Sequence, residues 1–357
     1  KSETKPKIVQ ILFQPKLKLD KNSIIQSSSS VADWFIQFAS SWGAIRVASP
    51  WNEQNIHFQF IYHSDYHFLA EAIRPFMKSW VLEQGSMTGK IIETDHLNDE
   101  FLNELLHEIV EPYHSFIKYN KNERFTLDLV PTQQKTQFQF KDNNVYVVLG
   151  GHKGIGLEIS KSIPKDKPSK IVLIGRTAQN DPAVLKVLNT LSTVTTHVEY
   201  FQCDARNKEM LKIIFDSIFK KYGKIDYIVN SIGVTISKFL HFMNQEEINQ
   251  IMTSKFSVVM NLAQILNENQ SQTNVLNFSS VAGYFGTQGQ AVYALANSAV
   301  NVLAEILDDR NRSRFQSIMW GPWKNTGMTE DQLLQAYIDI VGLTYIDPHL
   351  GSQFAWN

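Results

Sequence analysis

A single cysteine, Cys203, in 357 residues excludes any internal disulfide and suits a reducing compartment, so the cytoplasm is the expected location. No run of about 18 apolar residues occurs, so no membrane-spanning helix is expected. The opening KSETKPKIVQ carries no apolar stretch of signal-peptide length. Neither sign of charge is in excess: 34 Lys and Arg stand against 35 Asp and Glu, leaving nothing to hold nucleic acid or an anionic membrane. The ten histidines are scattered and no group of Cys or His has ligand spacing, so no metal is expected. No repeat of short fixed period is present. Length decides less, since it suits one large domain or two ordinary ones. The chain opens on Lys1 rather than Met, as a piece of a longer protein would, although processing or expression design would look the same.

What is present has a clear order. From Asn143 onward, apolar and β-branched runs of strand length alternate with amphipathic stretches of helix length: VYVVLG, KIVLIG, VEYFQCD, IDYIVNS, NVLNFSS and QSIMWG. Continuous apolar strands separated by helices predict an α/β fold, a doubly wound parallel sheet covered on both faces. The first 140 residues hold other strand-like runs (IHFQFIYH, GKIIETD, RFTLDLVP) and helical ones (HFLAEAIRPFMKSWVLE, EFLNELLHEIVE), with no glycine-rich turn. They predict a second, smaller α/β unit. Ser27 to Ser30 is expected to be a loop, and the polar stretch TQQKTQFQFKDNN a connection, which gives domains 1–139 and 140–357.

The turn Gly150, Gly151, His152, Lys153, Gly154, Ile155, Gly156 follows a predicted strand and opens a predicted helix, the setting in which a dinucleotide pyrophosphate rests on a helix N-terminus. A glycine-rich turn without a ligand is the plain alternative. The next strand ends in Gly175 and Arg176, where an NAD site usually has an acid; Arg176 suits a 2′-phosphate, or is a solvated surface residue. The third strand ends in Cys203 and Asp204. A carboxylate there can accept from the adenine amino group, or cap the helical run that follows. Ser231 and Gly233 close the fourth strand, where glycine lets backbone pass near a cofactor or simply ends the strand.

Carbonyl reduction needs a hydride, a proton for the forming alkoxide and a group that supports the proton donor. Ser280 ends a predicted strand, Tyr293 follows thirteen positions later, and Asn297 lies one helical turn beyond Tyr293 on the same face. A tyrosine of ordinary pKa near ~10 benefits from a cationic neighbour.

These residues resemble the short-chain dehydrogenase/reductase superfamily, and within it the ketoreductase domains of modular polyketide synthases and related multienzyme lipid synthases. The superfamily in general has lysine four residues after the tyrosine. The synthase ketoreductases have asparagine there and carry the lysine on the preceding helix, and this chain has Asn297 after Tyr293 and Lys255 in IMTSKFSVVMNLAQIL. VVLGGHKGIGLEISKSI, SIMWGPWKNTGM and the ending GLTYIDPHLGSQFAW also match. FMKSWVLE, LLHEIVEP and Arg124 resemble the truncated nucleotide-fold-like structural subdomain of that family.

The resemblance implies that Tyr293 donates the proton, Ser280 hydrogen-bonds the substrate carbonyl, Lys255 tunes Tyr293 and touches the cofactor ribose, and Asn297 supports the relay water. It implies NADPH as cofactor, held at the glycine turn and by Arg176, Cys203, Asp204, Ser231, Gly233, Lys255 and Pro322. It implies a β-ketoacyl chain on an acyl carrier protein as substrate, neighbouring synthase domains as partners, and a monomer when excised, because the structural subdomain covers the face that free-standing relatives use for tetramers. A lid is expected from TGMTEDQLLQAYIDIV, with Leu333, Leu334 and Tyr337 along it.

Two departures stand out. The Leu-Asp-Asp element that accompanies one product configuration is replaced by Val234, Thr235, Ile236, Ser237, and the tryptophan that accompanies the other is Phe285. His152, Lys153 and Ile232 also stand where small residues are usual. No acyl-transfer elbow, condensing cysteine or phosphopantetheine serine is found. A free-standing reductase or dehydrogenase of small ketones and alcohols is the enzyme alternative, against which the N-terminal half argues. A catalytically silent structural module is the non-enzyme alternative, against which Lys255, Ser280, Tyr293 and Asn297 argue.

Overall fold

Strand-length runs of β-branched and aromatic residues gather into two largely parallel sheets, so the connections between strands must cross over, and helices supply the crossovers. The structure is a computed structural model and describes residues 7–14, 28–45, 56–85, 87–109, 115–121, 123–131, 139–308, 312–326, 335, 338–339 and 342–356. The chain packs as two compact units, each assembled from separate stretches. The first takes Lys1–Thr132, Ile236–Met252 and Ala282–Val302; the second takes Gln133–Thr235, Thr253–Val281 and Leu303–Asn357. Packing and chain order therefore divide the molecule differently, because two later stretches are built into the first unit.

The first unit holds a five-stranded sheet: β1 (Lys7–Phe13), β2 (Ile56–His63), β3 (Met87–Thr94), β4 (Phe116–Asn120) and β5 (Glu123–Thr126), in that spatial order. β1 to β4 run parallel, and β5 returns antiparallel beside β4. β2 is buried from Ile56 through Tyr62, the continuous burial of a parallel strand covered on both faces. Helix α1 (Ser28–Ile45) begins at serines for which a loop was expected. The stripe Val31, Phe35, Ala39, Trp42 explains the difference: it buries one helical face from Val31 onward and extends the helix back over the serines. Helix α2 (His67–Glu83) follows β2, and its Trp80 packs edge-on against Trp42 and Phe58 with centroids 4.9 and 5.6 Å apart. The run around EFLNELLHEIVE gives a short helix, α3 (Asp99–Glu104), and then a tighter 3₁₀ turn, Leu105–Ile109.

The second unit holds β6 (Asn144–Leu149), β7 (Ser169–Gly175), β8 (Thr196–Gln202), β9 (Tyr227–Asn230), β10 (Asn274–Ser280) and β11 (Arg314–Trp320). All are parallel, in the order β11-β10-β9-β6-β7-β8. This is the doubly wound sheet expected. Its order reverses between β6 and β9, and ligands of such sheets bind beyond the carboxyl ends of the strands at that point. Leu149 pairs with Asn230 there, so the segments after them, at Gly150 and Ser231, leave the sheet side by side. Helix α4 (Gly154–Ser162) starts from this crevice, followed by α5 (Pro182–Leu191) and α6 (Lys208–Tyr222). A terminal helix, Pro348–Phe354, is capped by Asp347, and the indole of the adjacent Trp356 donates to Ser162 Oγ at 2.9 Å.

Candidate active site

The glycine turn is shaped by contact as much as by flexibility. Gly150 has φ +81°, which a residue with a side chain adopts only under strain. Gly156 lies so close to its neighbours that a Cβ would stand 2.4 Å from Ser231 Oγ and 2.6 Å from the Gly150 carbonyl. Ser231 Oγ donates to the Leu149 carbonyl at 2.6 Å, which ties the β9 end to the turn. The expected group Gly150, Gly151, Gly154, Ile155, Gly156 and Ser231 is thus brought together at the switch point, and Gly233 continues the same loop.

At the end of β7, Arg176 is exposed and its charge helps depress the Asp204 carboxyl. The larger cause of that depression is Arg206, whose guanidinium meets Asp204 Oδ2 at 2.6 Å. Asp204 is not the cap of α6: Asn207 is, accepting from the Met210 N–H, because it stands directly before the helix. Cys203 is buried and donates its N–H to the Gly175 carbonyl at 2.7 Å; burial, then the Asp204 charge, pushes its thiol pKa up. Lys153 is exposed, whereas His152 is folded inward. His152 Nε2 is 2.8 Å from Thr177 Oγ1, and burial, followed by the Lys153 charge, lowers its pKa. Gly175 makes room for this ring, since a Cβ there would lie 2.8 Å from it. That reciprocity of a large residue in the turn and a small one on the next strand was not read from the sequence.

Helix α7 (Gln245–Met252) runs into a π-helical turn, Thr253–Ser257, before helix α8 (Val258–Glu268). Such turns break the regular hydrogen-bond ladder and recur at functional sites. Lys255 lies in it, fully enclosed, and its Nζ donates to the Phe278 carbonyl at 2.5 Å. Burial brings its pKa down to about 8. Two residues on, Ser280 ends β10, paired with Trp320 and partly exposed. In the second unit the structure therefore joins Lys255 to the strand that carries Ser280.

Helix α9 (Ala282–Phe285) precedes α10 (Ala291–Asp308), and the first unit takes α9 and the part of α10 up to Val302. From Ala291 to Val300 every residue of α10 is buried except Tyr293, which is partly exposed. Asn297 is buried, and its Nδ2 donates to the Tyr293 carbonyl at 2.8 Å. Gly283 lets α9 lie against this turn, as a Cβ on it would be 2.8 Å from Asn297 Cβ.

Beyond β11, the Pro322 carbonyl accepts from the Ile346 N–H at 2.7 Å, which fixes the strand's exit. Of the expected lid, Thr326, Gln335, Ile338 and Asp339 are described; Leu333, Leu334 and Tyr337 lie outside the described residues. His67, Glu71 and Glu93 offer possible ligand atoms within 4.8 Å of one another. Lys118 meets Glu93 at 2.8 Å and Arg74 meets Glu71 at 3.0 Å, so the chain's own cations already balance these carboxylates. No described helix is long and apolar enough to cross a membrane.

A doubly wound parallel sheet with a glycine turn at its switch point, followed along the chain by Lys255, Ser280 and Tyr293, has the fold of the short-chain dehydrogenase/reductase type. The chain belongs to the KR domain family, whose model matches residues 144–325. It is 28% identical over 272 residues to the polyketide synthase PksN of Bacillus subtilis (strain 168), covering 72% of this chain and 5% of that protein. It is 26% identical over 203 residues to the erythronolide synthase EryA3 of Saccharopolyspora erythraea, covering 57% of this chain and 6% of that protein. The chain thus spans about a twentieth of the length of these curated relatives. Its fold is similar to a solved ketoreductase domain from the bacillaene assembly line, with TM-score 0.76, 20% identity, and 99% and 89% of the two chains covered.

Proposed function

We propose that the chain is an NADPH-dependent reductase of the β-keto group of an acyl chain carried by an acyl carrier protein, giving a β-hydroxyacyl product. What carries this reading is the coincidence of the KR domain match over residues 144–325 with a full set of Lys255, Ser280, Tyr293 and Asn297 inside that stretch. We take residues 1–139 as the structural subdomain and 140–357 as the catalytic one, the excised chain as a monomer, and the cytoplasm as its location.

The turn suits a dinucleotide: a Cβ on Gly156 would strike Ser231 Oγ and the Gly150 carbonyl, so glycine is what lets the start of α4 pack this closely against the turn on which a pyrophosphate would rest. Gly150, Gly151, Lys153, Gly154, Ile155, Gly156, Ser231 and Gly233 would hold the phosphates and nicotinamide side, with Pro322 beyond β11. Arg176 would meet the 2′-phosphate, and Cys203 and Asp204 the adenine end. When bound, NADPH supplies the hydride. Ser280 Oγ hydrogen-bonds the ketone oxygen and orients it. The Tyr293 hydroxyl gives its proton to that oxygen as negative charge develops there. The Lys255 ammonium favours the tyrosinate left behind, and Asn297 holds the water that returns the proton.

The test of the substrate class is reduction of the same β-ketoacyl group as a small thioester and as a carrier-protein thioester. A higher kcat/KM on the carrier protein supports the reading; equal rates on both, and on simple cyclic ketones, favour a reductase of small ketones.

A further inference from the structure

Within the first unit, one buried carboxylate binds two loops that lie far apart in the chain. Glu83, the last residue of α2, is 4% exposed. Its Oε2 accepts from the Leu240 N–H at 2.7 Å, and its Oε1 from the Gly289 N–H at 3.2 Å. The two loops are also joined to each other. The Lys238 N–H donates to the Gly289 carbonyl at 2.8 Å, and Gln290 Nε2 to Ser237 Oγ at 3.1 Å. The end of α2 grips the second loop further: the Thr287 N–H donates to Ser79 Oγ at 2.8 Å, and Gln288 Nε2 to the Leu82 carbonyl at 3.1 Å. That loop is sharply bent, with Gly286 at φ +69° and Gly289 at φ +73°.

Gly289 is four residues before Tyr293, and α10 begins between them at Ala291. Where the loop is pinned, the first turn of α10 and its tyrosine are pinned. A carboxylate is suited to this task, since it offers two acceptor oxygens and carries no donor that could compete with the main-chain N–H groups.

We propose that Glu83 is a positioning residue for ketone reduction: by holding Leu240 and Gly289 together it sets where the Tyr293 hydroxyl stands, and with it the face of the ketone that is reduced. The inference rests on the reductase reading above. Misplacement of a reacting group by about 1 Å costs on the order of a hundredfold in rate.

The test compares the whole chain with Glu83→Gln and Glu83→Ala. Glutamine turns an amide NH2 toward one of the two N–H donors and loses that bond while keeping the shape. Four quantities are measured: kcat and KM on trans-1-decalone, the ratio of product configurations, NADPH affinity by fluorescence, and amide exchange at Leu240 and Gly289. The expected result is a kcat lower by about ten- to a hundredfold, a product ratio moved toward equality and unchanged NADPH affinity. Exchange should quicken at the two loop amides while core amides such as that of Ile73 keep their protection. A folded variant with wild-type kcat and product ratio overturns the proposal. So does a variant in which activity, NADPH affinity and core protection fall together, the mark of general destabilisation. If the wild type reduces no ketone, the reductase reading fails, and exchange still decides the clamp: faster exchange confined to the two loops supports it, unchanged exchange refutes it.

Discussion

The Lys255 ammonium donates to the Phe278 carbonyl at 2.5 Å, an ion held inside the second unit against the strand that ends in Ser280. Bringing this group from its ordinary 10.5 to about 8 corresponds to roughly 3 kcal/mol of unfavourable burial. Lys255→Met should therefore raise the melting temperature while abolishing reduction. The sign of the pH dependence follows from the depressed pKa. Folded and unfolded chains are both protonated at this site below about pH 8, where the cost is fully present, and it is relieved as pH rises toward 10.5. The stability advantage of Lys255→Met should shrink across that window in paired melting curves, and an advantage independent of pH would contradict this.

Gly156→Ala places a methyl 2.4 Å from Ser231 Oγ and 2.6 Å from the Gly150 carbonyl. Overpacking of this kind costs about 1–3 kcal/mol and should also weaken NADPH binding. Ser231→Gly in the same chain should not restore binding, because the backbone carbonyl remains in the way. Fluorescence titration of NADPH into the single and double variants checks this.

Arg176→Ala removes an exposed cation from the end of β7. A charge-assisted contact to a 2′-phosphate contributes about 1.5–3 kcal/mol, so NADPH should bind roughly ten- to a hundredfold more weakly. NADH, which lacks that phosphate, should bind as before. Equal losses for both cofactors would remove Arg176 from the 2′-phosphate site.

Glu108 gathers Lys90 at 2.9 Å, Arg124 at 2.6 Å and the Tyr119 hydroxyl in the first unit. Burial works to raise its pKa, but the hydrogen bonds from Arg124, Tyr119 and Lys90 outweigh it and hold the carboxyl at about 2. Its contribution is thus full above the ordinary 4.5 and lost as pH falls toward 2. Glu108→Gln removes the negative charge that Lys90 and Arg124 both meet and should cost about 3–5 kcal/mol at neutral pH. Urea unfolding at pH 7 and pH 3 should show the gap between variant and wild type narrowing at the lower pH.

The second unit was legible because its strands are buried on both faces: VYVVLG, KIVLIG and NVLNFSS stand out as continuous apolar runs and match β6, β7 and β10 to within a residue or two. The turn at Gly150 to Gly156 was legible from its place between strand and helix. The rest depends on contacts between residues distant in the chain. β1 was missed because KIVQILF lies in a polar opening, and its partner β2 begins more than forty residues later. The serines before Val31 read as a loop until the buried stripe beyond them is seen. Nothing in MTSKFSV announces that Lys255 turns onto a carbonyl 23 residues away. Nor does VLEQG announce that Glu83 receives main-chain N–H groups 157 and 206 residues further on. Main-chain partners carry no residue identity, so no sequence pattern marks them.

The most direct test of the central claim is NADPH oxidation, followed at its absorbance band, with a β-ketoacyl thioester or trans-1-decalone, for the wild type and Tyr293→Phe. The account predicts turnover that requires NADPH, is much slower with NADH, and falls by about a hundredfold or more when the phenolic proton is removed. A wild type that binds no NADPH, or a Tyr293→Phe variant that reduces ketone at the wild-type rate, would contradict it.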